Sequence, residues 1–242
     1  MVNYFMEFVI DIFSSTVGQF TNPKKRVFIF YLFLSLLIAF AWLILKKKKT
    51  FVGSIKYIFD RKIFFSKSAK SDYKVFFINQ VIMLLISPHL LTQITIATAL
   101  YFFFFNIDLF EIGHLSYMPQ YLIVSLFTFF HFIVDDFSKY IVHRWMHRWP
   151  FLWALHKVHH SATNLTPMTV FRTHPLEGLV FTLRSAVAQG FVISTFVYLF
   201  GSGVDLYTVL GANLFIFLFN VFGSNLRHSH IGIRYWKWLE YI

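Results

Sequence analysis

Long runs without a single charged residue decide what this chain can fold into. Val27–Leu45 supplies nineteen such residues, Leu115–Val134 twenty, Ser185–Val204 twenty, Leu206–Leu226 twenty-one, and Val75–Ile107 thirty-three. About 20 apolar residues in a helix cross the ~30 Å hydrocarbon core of a bilayer. Lipid offers no partner to backbone amides, so a spanning segment must satisfy them internally, as a helix does. The 242 residues are 57% hydrophobic, with 34 Phe, against roughly 45–50% apolar in soluble domains. The expectation is an all-α polytopic membrane protein with about five hydrophobic spans. Met1–Phe20 lacks a basic start followed by a short apolar core, so it does not read as a cleaved secretory signal and suits an interfacial helix.

Charge placement orients the spans. The net charge of +11 is concentrated: residues 46–74 hold ten Lys or Arg against two Asp. A basic segment between two apolar runs is what the positive-inside rule places in the cytoplasm, next to anionic lipid. That position argues against nucleic acid as the partner. Residues 106–118 carry Asp108 and Glu111 but no Lys or Arg and suit the outer side, so 75–105 crosses once as a long helix bent near Pro88. The 115–134 span then returns the chain to the cytoplasm, where the polar segment 135–178 forms a histidine-rich helical cap. Arg184 precedes the next span and is long enough to snorkel to the interface. With no Cys, disulfides and thiolate ligands are excluded. Two regions follow: membrane-anchoring helices and a basic cytoplasmic loop over 1–120, and a histidine-rich region over 121–242.

Five of the eleven histidines fall within eighteen residues, as His143-Arg-Trp-Met-His147 and His156-Lys-Val-His159-His160. Residues at i, i+3 and i+4 share a helix face, so each set forms a stripe, with Pro150 breaking the helix between them. Neutral imidazole is the commonest protein ligand for Zn, Fe, Cu and Ni, and two facing stripes can hold one or two ions. Chance core histidines, a structural zinc site and a bis-histidine haem are the competing readings. More than four histidines without cysteine suits a dinuclear or open centre better than a closed zinc site. Asp136, Tyr140 and His143 are spaced i, i+4, i+7, so a carboxylate there can orient an imidazole, or can be a plain surface charge.

The run from Asp136 through Tyr140, His143, Arg144 and His147, then His156-Lys-Val-His159-His160-Ser161, resembles the sterol desaturase/fatty acid hydroxylase superfamily of histidine-rich di-iron membrane enzymes. Arg172-Thr-His174-Pro175-Leu-Glu177 and Asn225-Leu-Arg-His228-Ser-His230 extend the likeness. The resemblance implies His143, His147, His156, His159, His160 and His228 as metal ligands. It places Asp136, Tyr140, His174 and His230 in supporting positions. His89, His114 and His131 match nothing in the pattern and read as ordinary membrane histidines. The family pattern continues with a last HxxHH box beyond a segment like Trp236–Ile242, so the expectation is a fragment lacking that box.

The resemblance further implies two iron ions, with zinc as a possible substitute, and O₂ as co-substrate. The implied reaction is hydroxylation or desaturation of a sterol or fatty acyl lipid in lipid biosynthesis. The alternative is an inactive, zinc- or lipid-binding membrane protein of the same fold. Metal-dependent hydrolysis is a further rival, with Glu177 the nearest carboxylate base. No GxGxxG nucleotide fingerprint occurs, so an external electron donor of cytochrome b5 or ferredoxin type is expected. The membrane is expected to be the endoplasmic reticulum in a eukaryote or the inner membrane in a bacterium.

Overall fold

The computed structural model describes residues 2–23, 25–90, 92–107, 111–201, 204, 230 and 231. Every regular element among them is helical. The helices are α1 (Val2–Thr21), α2 (Ile29–Leu45), α3 (Phe51–Ile58), α4 (Arg61–Phe64), α5 (Lys67–Ile86), α6 (Gln93–Ile107), α7 (Gln120–Arg148), α8 (Pro150–His160) and α9 (Pro175–Phe200). Three stretches are long and apolar enough to cross a membrane: Lys67–Ile107, Gln120–Arg148 and Pro175–Phe200; α2 is a shorter apolar helix. At 1.5 Å per residue the 29 residues of α7 extend about 43 Å, more than the ~30 Å of hydrocarbon. Its last turns therefore project beyond the apolar layer. The expected span Leu206–Leu226 and the expected ligand His228 lie outside the described residues.

Local sequence sets the boundaries. Thr50 caps α3 by accepting from Gly53 N at 3.1 Å, and Asp60 caps α4 by accepting from Lys62 N at 2.8 Å. Pro88 interrupts the helical run where the sequence marks it, with a 3₁₀ turn over Ser87–His89 between α5 and α6. Trp149 is extended because Pro150 follows it, and that proline then occupies the first position of α8, where it lacks no needed N–H. Pro175 opens α9 in the same way, after His174 as the capping residue.

The chain forms two compact units, one of Met1–Leu84, Val158–Thr173 and Leu218–Ile242, the other of Leu85–Lys157 and His174–Phe217. In the second unit α9 packs on both α6 and α7. Ile123 and Phe127 of α7 meet Val192, Phe196 and Phe200 of α9 in its core. The end of α9 is closed by the turn before α7: Gly113 N donates to Tyr198 O at 2.9 Å and Leu115 N to Leu199 O at 2.8 Å. These satisfy carbonyls that a helix end leaves unpaired. Gly113 (φ +73°) and Gly201 (φ +55°) meet there at a distance that a side chain would close.

Arg184 departs from expectation. It does not snorkel; it turns inward and is 10% exposed, its Nη1 donating at 2.8 Å to Asp135 Oδ1, Asp135 O and Ser138 Oγ. A guanidinium facing a carboxylate on the neighbouring helix gains more than one held at a distant interface. Gly190 permits the close approach of α6 and α9, since a Cβ there would lie 2.9 Å from Ile96 Cγ2 and 3.1 Å from Ala97 N. Ile96 is β-branched and stiff, and a backbone nitrogen cannot step aside. Gly190→Val is therefore expected to cost about 1–3 kcal/mol of stability. Thermal unfolding in detergent measures this, and an unchanged midpoint would contradict the packing described.

In the first unit Ala39, Leu43 and Ile58 form a small core with Ile231. Beside it lies a cavity of about 370 Å³ with Leu36, Phe64 and His230 in its wall. α1 is tied to α5 by Ser15 Oγ donating to Gln80 Oε1 at 2.9 Å. Its remaining surface exposes Phe5, Ile10 and Phe13, as an interfacial helix does.

Candidate metal centre

The last two turns of α7 carry His143 and His147 one above the other. Their Nε2 atoms are 3.0 Å apart and their ring centroids 4.8 Å. The extended Trp149 turns the chain so that α8 brings His156 against both: its ring lies 4.7 Å from that of His143 and 4.8 Å from that of His147, nearly perpendicular to each. His160 follows one turn later on the same helix. Within the second unit the rings of His143, His147 and His156 therefore cluster together.

His156 is only 2% exposed, and its Nδ1 is 2.8 Å from Oε1 of Glu177, which is equally buried. A carboxylate accepts, so Nδ1 carries the proton and the lone pair sits on Nε2. That is the tautomer a metal needs, and a carboxylate behind the ring is the usual device for fixing it. Glu177 stands in the first turn of α9, where the helix dipole favours a negative charge. Its second oxygen, Oε2, is buried without a hydrogen-bond partner among the described residues. A buried carboxyl group beside imidazoles with one oxygen unsatisfied can face a cation.

The donor set fits a transition metal. Metal–nitrogen bonds of about 2.1 Å put two nitrogens of one ion roughly 3 Å apart at right angles, the spacing of His143 and His147. Imidazole suits Fe, Zn or Cu and does not suit Ca or Mg.

The other expected residues are placed as follows. His159 donates from Nδ1 to Arg172 O at 3.3 Å, which again puts the lone pair on Nε2. His174 Nδ1 accepts from Leu176 N at 3.2 Å and caps α9, so its neutral ring carries the proton on Nε2. His230 Nε2 donates to Tyr57 O at 2.9 Å beside the Tyr57 ring. Tyr140 Oη accepts from Arg144 Nη1 at 3.0 Å, and Asp136 is half-buried on α7. His131 stacks on Phe127. Sequence reasoning offered Glu177 only as the nearest base for a rival, hydrolytic reading; its position behind His156 is set by a contact across twenty-one residues that no local spacing shows. The one available signal was an acid in the first turn of an otherwise apolar helix.

A membrane-length helix ending in a carboxylate-backed histidine cluster defines the class: a helical protein with membrane-length helices and a histidine cluster able to hold a metal. The fatty acid hydroxylase family model matches residues 128–242. Over 60 residues the chain is 42% identical to the Delta(7)-sterol 5(6)-desaturase of Saccharomyces cerevisiae, covering 24% of this chain and 16% of the relative. Over 64 residues it is 36% identical to the Delta(7)-sterol 5(6)-desaturase of Eremothecium gossypii, covering 26% and 18%. The chain thus matches less than a fifth of either relative's length. No solved structure matches. The likeness to the sterol desaturase/fatty acid hydroxylase superfamily thus rests on residues 128–242 and on these two short matches.

Glu177→Gln keeps the size of the side chain and removes the charge behind His156. Contacts of this kind are worth roughly 10–100-fold in metal affinity, and that loss is expected when the metal-free protein is titrated with Fe²⁺ without oxygen. Equal affinity in the two proteins would remove Glu177 from the account.

Proposed function

We propose that this chain belongs to an O₂-dependent di-iron hydroxylase or desaturase that acts on a membrane lipid of sterol or fatty acyl type. The observation that carries this reading is the convergence of His143, His147 and His156 at the end of a membrane-length helix; His160 joins the proposed ligand set from one turn further along α8. His159 and His228 complete the proposed ligand set. Iron held there supplies the oxidising power toward an unactivated C–H bond that no side chain has.

The chain's own residues supply placement. Glu177 keeps the His156 proton on Nδ1, and the carbonyl of Arg172 does the same for His159. Trp153 lies 5.4 Å from the His147 ring, so an apolar group borders the imidazoles. Large apolar side chains exposed on α6 and α7, among them Phe102, Phe103, Phe129 and Ile133, suit contact with lipid tails. A lipid substrate then reaches the site from the bilayer. The centre is proposed to face the cytoplasm, on the side of the basic segment 46–74, in the endoplasmic reticulum or a bacterial inner membrane. Electrons come from an external carrier of cytochrome b5 or ferredoxin type that docks on that basic face, so turnover falls as salt rises.

The test loads the purified protein with iron anaerobically, adds reductant, then admits O₂ in the presence of membrane lipids. The expected result is a hydroxylated or newly unsaturated lipid that accumulates over several turnovers. Bound iron with no oxidised lipid would leave the alternative, a metal- or lipid-binding protein of the same family.

A further inference from the structure

The family match begins at residue 128, yet the most elaborate polar network in the first unit starts on α5, well before it. Asp72 is fully buried, and Arg172 is 5% exposed. Arg172 Nε donates to Asp72 Oδ1 at 2.5 Å, and Thr169 Oγ1 donates to Asp72 Oδ2 at 2.8 Å. Arg172 Nη2 donates to both the carbonyl and the hydroxyl of Ser68, and Nη1 reaches Ser161 Oγ at 3.3 Å. Ser68 Oγ also accepts from Thr163 N at 3.2 Å, while Asn79 Nδ2 donates to Thr173 O at 2.9 Å. Ser68, Asp72 and Asn79 stand at i, i+4 and i+11, on one face of α5. That face therefore grips the segment 161–173 at its start, middle and end.

A buried ion pair seldom adds much net stability over an apolar one, because both ions lose their water. Its best-attested use is to specify a geometry. Here the geometry has a consumer: the carbonyl of Arg172 accepts from His159 Nδ1. The backbone of Arg172 fixes the tautomer of His159 while its side chain is locked to α5.

We propose that Asp72 is a positioning residue for His159, acting through Arg172, so that α5 sets the second histidine stripe from outside the family's shared region. This rests on the metal-centre reading above. Asp72 touches neither metal nor substrate; it holds the residue whose carbonyl keeps the lone pair of His159 on Nε2.

The test is a double-mutant cycle on metal affinity, read by titrating metal-free protein with Co²⁺ and following its visible absorption bands. Asp72→Asn is expected to weaken binding by up to about 10-fold, the low end of what a contact directly behind a ligand is worth, because Asp72 stands one contact further back. His159→Ala weakens it as well, and the double variant is no weaker than His159→Ala alone, because the two act on one element. An unchanged affinity in Asp72→Asn, or losses that simply add, would overturn the proposal. Should Asp72→Asn not fold, Arg172→Lys keeps the charge opposite Asp72 but lacks the forked donor. It should show a smaller loss that again disappears in the His159→Ala background, and full affinity in Arg172→Lys overturns the proposal equally. A wild-type protein that binds no Co²⁺ would sink the metal-centre reading first and this inference with it; binding by wild type with no effect of Asp72 sinks the inference alone.

Discussion

His147→Ala is expected to abolish lipid oxidation while leaving the protein about as stable as before. The ring sits on an exposed turn of α7, and exposed substitutions usually move stability by no more than about 0.5 kcal/mol. His156→Ala makes the informative contrast. Its ring is 2% exposed and is the partner of a buried Glu177. Removing it leaves a carboxylate buried without its donor, which costs roughly 3–5 kcal/mol when a buried pair loses one member. Turnover should therefore vanish in both variants, and thermal unfolding should shift strongly only in His156→Ala. Both losses of turnover should exceed the roughly 10–100-fold expected for Glu177→Gln, since a ligand itself has been removed. A His147→Ala protein that still turns over at the wild-type rate would remove α7 from the centre.

Arg172→Met carries the second large effect. Asp72 then stays buried in the first unit with only the Thr169 hydroxyl directed at it. Truncating one partner of such a pair costs about 3–5 kcal/mol, a large share of the roughly 5–15 kcal/mol that holds a typical domain folded. Adding Asp72→Leu should recover most of the loss, because a paired apolar replacement removes the orphaned charge. Denaturant or thermal unfolding of the three proteins decides it. A single variant as stable as wild type would mean that water reaches Asp72. A double variant no better than the single would mean that the network's hydrogen bonds, and not its charges, hold the segment.

Much of the fold was legible because membrane spans and helix stops are written locally. Uncharged runs announced α6, α7 and α9, Pro88 marked the interruption after α5, and Pro150 marked the break between α7 and α8. The i, i+4 spacing of His143 and His147 put both rings on one face, and their rotamers close the ring nitrogens to 3.0 Å. What stayed hidden depends on contacts between distant segments. Asp72 meets Arg172 across one hundred residues, and nothing in Lys67-Ser-Ala-Lys-Ser-Asp72 distinguishes a buried acid from a solvated one in a basic loop. Arg184 read as an interfacial charge because its partner, Asp135, lies forty-nine residues earlier. His174 and His230 were expected in supporting positions, but not that the one would cap α9 and the other bond the Tyr57 carbonyl.

X-ray absorption at the iron edge of the iron-loaded protein tests the central claim most directly. The account predicts nitrogen scatterers at roughly 2.0–2.2 Å with the outer-shell pattern of several imidazoles. That pattern should be lost when His143, His147, His156 and His160 are replaced together. Iron bound only through oxygen, or an imidazole signal unchanged in the fourfold variant, would contradict it.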